Sequence, residues 1–296
     1  FTAITPLLIP RSSAARILYC GGNMKKTSGL SLLFRISVLL GLFLNISGVV
    51  LANNIIAAYN IAQQGVTIRT LNLVQVGVIP TLHPVNGVAA GPDNNVYMVN
   101  KNHIYNYSIT TGSQLKDMQF PDDRINYTDI AVRGNRVYAS YNGSQLGFTV
   151  RDLGLNQLAF YQTGFSINGI AAGLNNDLYL ASGNRLYRYS TNGVLLKVMT
   201  FPDPGIIYTD VAVICGRLLA TYSGSQKGFT IRDLVTLNQY SFVQTPFDIG
   251  GIVGGSNNDV YISGANKLYN YTLTGQPIQS FTWTPQPTLE YGDMTR

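Results

Sequence analysis

Charged residues make up only 11% of this 296-residue chain, under half of the roughly 25% of an average soluble domain. Glutamate occurs once, at Glu290, and histidine twice, at His83 and His103. These residues neither recur nor cluster by spacing, so no metal-ligand pattern and no nucleophile with a neighbouring base is legible. No cofactor is expected. His83, in TLHPV, reads as a turn residue. The two cysteines, Cys20 and Cys215, stand far apart, the first outside the regular body of the chain. No disulfide within that body is expected, and Cys215, in the apolar run VAVICG, reads as a small core residue. A basic patch is missing as well. Five of the 20 basic residues, Arg11, Arg16, Lys25, Lys26 and Arg35, fall in the first 52 positions, which hold no Asp or Glu, leaving 15 against 14 acidic residues. The formal +6 is therefore an N-terminal property, and the body carries no electrostatic footprint for nucleic acid. What the chain has instead is 46% hydrophobic residues, 30 glycines and 19 tyrosines. That is enough apolar material for a sizeable core, in a composition that favours strands joined by polar turns.

The charged N-terminus has its own reading. Met24 opens MKKTSGLSLLFRISVLLGLFLNISGVVLA, with a basic start, an apolar stretch from Ile36 to Leu44 and small residues at a cleavage site after Val50-Leu51-Ala52. This is the pattern of a secretory signal peptide over residues 24–52. The apolar run is short for a spanning helix, and no cysteine follows it to take a lipid, so no stable membrane insertion is expected after cleavage. Residues 1–23 read as upstream sequence translated in frame, since the codons for Gly21-Gly22-Asn23 can contain a bacterial ribosome-binding sequence. The expected mature protein is then 53–296, secreted or periplasmic.

That body repeats itself. GFTVRDL at Gly147 returns as GFTIRDL at Gly228, with a worn copy, GVTIRTL, at Gly65. NGVAAGPDNNVY from Asn86 matches NGIAAGLNNDLY from Asn168 and GGIVGGSNNDVY from Gly250, and FPDDRINYTDIAV from Phe120 matches FPDPGIIYTDVAV from Phe201. The copies lie about 81 residues apart, and each long unit divides into two related halves of about 41, one opening Asn-Gly, the other Thr-Asp. Each half parses into four short strands with turn signals between them, the first built of small residues and the later ones of Tyr, Leu, Phe and Val. Four strands per 40 to 45 residues, small at one end, is the period of a propeller blade.

The blades expected are Val85–Tyr127, Thr128–Ile167, Asn168–Tyr208, Thr209–Ile249 and Gly250–Glu290. Asn53 to Pro84 matches the last three strands of a Thr-Asp blade, and YGDMT from Tyr291 supplies the missing first strand. The expected fold is thus all-β: a six-bladed β-propeller of four-stranded blades in three alternating pairs, closed by pairing the C-terminal strand with the N-terminal three. If the repeats continue beyond Arg296, the count rises to seven or more. GIAAGLNNDLYLASGNRLYRYSTNGVLL resembles an NHL-type repeat in its Gly-Ile-Ala opening and its Asn-Arg-Leu third strand. It departs from the usual form in having Asn-Asn where Asp-Gly is common. The resemblance covers the Asn-Gly blades well and the Thr-Asp blades loosely; it implies the fold and a range of binding and occasional enzymatic roles.

The candidate ligand-binding residues follow from the strand order. Loops before the first strand and between the second and third share one rim, where Asp129, Asp210 and Asp293 are expected to begin the inner strands of alternate blades. Tyr127, Tyr208 and Tyr291 accompany them, with Phe120, Phe201 and Trp283 upstream. Ser144-Gln145 and Ser225-Gln226 edge the same face with Asn142, His103, Arg185 and Lys267. This would make a polar, aromatic platform for a neutral ligand, a glycan or peptide, or for a protein partner. The competing structural reading has each Asp capping its own turn, and Arg151-Asp152 and Arg232-Asp233 joining blades. The functional alternative is a metal-assisted hydrolase or lyase of the lactonase type, a class that some six-bladed propellers it resembles include, using the three Asp. Such a cation would require carboxylates converging across the whole mouth.

Overall fold

Four short strands account for each repeat half in the computed structural model, which describes residues 54–60, 64–174, 176–255, 258–282 and 290–296. The expectations for residues 1–52 and for Trp283 lie outside the described residues. In chain order the strands are Asn54–Asn60 (β1), Gly65–Thr70 (β2) and Gln75–Pro80 (β3), then Gly87–Ala90 (β4), Asn95–Asn100 (β5), His103–Ser108 (β6) and Gln114–Gln119 (β7). Ile125–Arg133 (β8), Arg136–Gly143 (β9), Gly147–Asp152 (β10) and Gln157–Gln162 (β11) follow, then Gly169–Ala172 (β12), Asp177–Ser182 (β13), Arg185–Ser190 (β14) and Leu195–Thr200 (β15). Next come Ile206–Ile214 (β16), Arg217–Gly224 (β17), Gly228–Asp233 (β18) and Gln239–Gln244 (β19). The last are Gly251–Gly254 (β20), Asp259–Gly264 (β21), Lys267–Thr272 (β22), Pro277–Thr282 (β23) and Glu290–Thr295 (β24).

They form six four-stranded antiparallel sheets, five of them sequential and the sixth ordered β24-β1-β2-β3. Tyr59 lies opposite Tyr291 and Ile56 opposite Thr295, so the two extremities share one blade as expected. The protein is a closed six-bladed β-propeller. Each inner strand contacts the inner strand of the next blade, including β20 with β24 and β24 with β4.

Burial explains the ring. Sheet faces pack on neighbouring blades, and the buried apolar side chains fall into six clusters, one for each blade interface. The cluster at the closure joins Ile55, Ala57 and Tyr59 to Tyr261, Leu268, Tyr291 and Met294. Second and third strands supply most of the core, whereas the outermost strands, such as β7 and β15, are largely exposed.

The repeated phrase GFTVRDL is the third strand of a Thr-Asp blade. Its arginine is buried, and its two ends do separate jobs. Nη1 of Arg69, Arg151 and Arg232 donates to the carbonyls of Leu73, Leu155 and Leu237 at 2.8, 2.9 and 3.0 Å. Nη2 reaches the Oε1 atoms of Gln75, Gln157 and Gln239. Those leucines hold left-handed backbone with φ near +60°, so each arginine pins a strained turn between third and fourth strands. Cys215 sits in the β16–β17 turn at φ 42°, half-buried and packed against the apolar cluster of Ile214, Phe229 and Ile252.

Candidate functional site

The motif Tyr-Thr-Asp makes a β-bulge. Along β8 and β9, Tyr127 faces Tyr141 and Asp129 faces Ser140, leaving Thr128 as the extra residue, and β16 repeats this between Tyr208 and Asp210. A bulge re-aims the side chain beside it. The carboxylates therefore lie inside the inner strands, buried, and not at their heads on a rim as the spacing predicts; the bulge lets the strand run on through the tyrosine.

Each Asp bridges two blades. Asp129 Oδ1 accepts the N–H of Ile130 at 2.7 Å and Oδ2 that of Ile170 in the next blade at 2.6 Å. Asp210 accepts from Val211 at 2.6 Å and from Ile252 at 2.9 Å. Asp293 Oδ2 accepts from Val88 at 2.6 Å. On the opposite flank Gly87, Gly169 and Gly251 press against the same residues, and a Cβ at any of them would lie 2.7 Å from the Cα of Asp129, Asp210 or Asp293. Glycine and aspartate thus alternate around the axis at its tightest level, which explains why Asn-Gly and Thr-Asp halves must alternate in sequence.

Three residues 81 to 83 positions apart are brought together there. Burial pushes the Asp129 carboxyl up to about 7, against the stabilising backbone N–H groups of Ile170 and Ile130, and Asp293 lies within hydrogen-bonding reach of it. Burial raises Asp210 and Asp293 well above the ordinary carboxylate value, and the neighbouring carboxylates raise them further. The ring therefore retains protons near neutral pH.

Above this ring opens an axial cavity of about 1060 Å³. Inner strands stand at the end of each sheet, so their unpaired edges face the axis and line the cavity with backbone N–H and C=O groups among Ala, Val, Ile and Gly side chains. Its mouth carries Arg133, Asn135, Arg136, Asn176, Thr191 and Asn192, which belong to turns between first and second or third and fourth strands. It thus opens on the face opposite the predicted rim. The repeat-based reading passed over these residues because several occur in one blade only: RGNR at Arg133 stands where the companion blade has ICGR at Ile214.

Most of the other sequence-predicted residues pack or bond within the fold, while Arg185 and Lys267 begin β14 and β22. Tyr127, Tyr208 and Tyr291 are buried in blade interfaces, and Tyr208 and Tyr291 accept hydrogen bonds from Arg232 and Arg69; these rings form no exposed platform. Ser144 and Ser225 donate to Asp122 and Asp203 at 2.7 and 2.6 Å. Gln145 and Gln226 accept from Gln162 and Gln244 on the adjacent strand. Asn142 accepts from the N–H of Ile167 and donates to its carbonyl, latching one blade to the next. Phe120 stacks on Phe160 and Phe201 on Phe242. The histidines, unrelated by spacing, both stack on Tyr105, with His103 Nδ1 2.7 Å from Asp117. Among the described residues no three His, Cys, Asp or Glu are grouped to hold a metal ion; both oxygens of Asp129 and of Asp210 are occupied by backbone N–H groups.

No family model matches the chain, and no curated protein matches it in sequence. Solved structures share the fold. A protein of unknown function from Bacteroides caccae superposes with a TM-score of 0.65 at 11% identity, over 82% of this chain and 98% of that one. A chain of the nidogen/laminin complex gives 0.65 at 13% identity, over 82% and 97%. The WD40 β-propeller domain of Doa1 gives 0.58 at 13%, over 78% and 80%. At such identities the likeness is one of fold, and the function must be argued from the site.

Proposed function

We propose that this chain is a non-catalytic propeller, with NHL-like repeats, that serves as a binding scaffold outside the bacterial cytoplasm and holds a polar ligand, a glycan or peptide, in its axial cavity. The observation that carries the reading is the cavity itself, lined by the ring of buried carboxyls and walled by strand edges. Its volume, about 1060 Å³, sits at the upper end of the range for small-molecule sites. The exterior location is supported by the signal-like segment at Met24, and the repeat type by the Gly-Ile-Ala and Asn-Arg-Leu signatures. The carboxyls are engaged by backbone N–H groups, which favours binding over turnover.

Two labelled variants test the site. Asn135 and Ser144 are exposed at opposite ends of β9, roughly 30 Å apart at the rise of a strand. A bulky maleimide on Asn135→Cys should abolish capture of a hit from a glycan and peptide screen, and the hit should slow labelling. The same label on Ser144→Cys should leave binding intact. The reverse pattern would move the site to the predicted rim and overturn the cavity reading.

A further inference from the structure

Repeat proteins reveal single-copy function where their symmetry breaks, because positions required by the architecture recur in each blade. At the cavity mouth the β8–β9 turn breaks it. Arg133 lies directly opposite Arg136 across Gly134 and Asn135, both are exposed, and neither has a carboxylate partner among the described residues. Like charges facing one another across a hairpin destabilise it. The companion turn of β16 and β17 avoids the conflict with Ile214 opposite Arg217, and Arg217 rests on the Tyr240 ring at 3.8 Å. The fold therefore does not need two guanidiniums here. Beside them at the mouth stand Asn135, Asn176 and Asn192, amides that add hydrogen bonds without negative charge. Arg296, a third guanidinium on the lining, lies in the field of Asp259. The carboxylates lining the cavity are those of the floor ring.

Resting on the cavity reading, we infer that the ligand is a carboxylated polyol of the uronic-acid type, entering with its carboxylate outermost between Arg133 and Arg136. Guanidinium pairs suit carboxylate geometry and work as charge-assisted donors. Deeper in the cavity, strand-edge N–H and C=O groups and the protonated carboxyls offer both donors and acceptors, which a row of hydroxyls matches. Among the described residues the one aromatic on the lining, Tyr138, is buried, so the described wall gives no stacking surface to a planar base or an aromatic peptide side chain.

The test is calorimetric titration of the intact protein with glucuronate, glucose and acetate, repeated on the Arg133→Gln, Arg136→Gln double variant. The exposed hairpin tolerates the substitution, and a thermal melt of the variant verifies its folding. Glucuronate is expected to bind about tenfold or more tighter than either glucose or acetate. The double variant should lose that margin, leave glucose unchanged, and show a weaker dependence on salt. Equal affinity for glucuronate and glucose overturns the carboxylate assignment while leaving the cavity reading standing. Equal affinity for glucuronate and acetate marks an unspecific anion contact and overturns the polyol assignment, as does the absence of binding by all three. The labelling experiment above reads entry of any ligand, so failure of the cavity itself is seen there and not here.

Discussion

Raising the pH from about 4 to about 8 is expected to destabilise this protein, the reverse of the common acid-labile pattern. In the fold Asp129 holds its proton up to about pH 7, whereas in the unfolded chain it releases it near the ordinary value of 3.8. Between those values the native state binds more protons than the unfolded state, so stability falls as pH rises. The contribution is fully present below about pH 4 and lost as the pH passes through 7. Because Asp129 titrates together with Asp210 and Asp293, the loss belongs to the ring as a whole and is on the order of a few kcal/mol. Asp210 and Asp293 are shifted in the same direction. Opposing groups exist: hydrogen bonds hold Asp152 and Asp203 below the ordinary value and Asp233 near 2. Their stabilisation is present above pH 3.8 and lost in stronger acid, which places the optimum near pH 4. The assay is urea unfolding at constant ionic strength across this range, with Asp129→Asn alongside. Asparagine can accept one of the two backbone N–H groups, so the variant loses about 1–2 kcal/mol at pH 4 but should show a flatter pH profile. A wild-type stability that is level or rising from pH 4 to 7, or equal slopes in the two proteins, would refute the reasoning.

Gly169→Ala places a methyl 2.7 Å from the Asp210 Cα, and the backbone there has no room to yield; a loss of about 1–3 kcal/mol is expected in thermal melts. Arg232→Met strips hydrogen bonds from Leu237, Tyr208 and Gln239 and should cost about 2–4 kcal/mol by denaturant titration. Deleting residues 290–296 removes β24, exposes the β1 edge and breaks the Asp293 bridge to Val88. Light scattering should then show a higher association state than that of the intact protein, and an unchanged association state with an unchanged melting temperature would contradict the closure described above.

The blade count, four strands per repeat half and the shared sixth blade were all written in the sequence, because a repeat encodes local ladders and turns that each copy states again; the inner strands β8 and β16 of the Thr-Asp blades began three residues earlier than expected. The arginine of GFTVRDL also declared itself structural by recurring. The cavity did not. Asp129, Asp210 and Asp293 look alike at strand heads or inside strands until the bulge at Thr128 and its copies turns them toward the axis. Their rise in pKa depends on being buried together by three different blades. Residues that edge the mouth, Arg133 and Asn135 from one turn with Asn192 from the next blade, stand in one blade only and have nothing in common along the chain. Period and composition are local properties and survive unfolding on paper. Proximity across a closed ring, and the desolvation that comes with it, exists only once six sheets have packed.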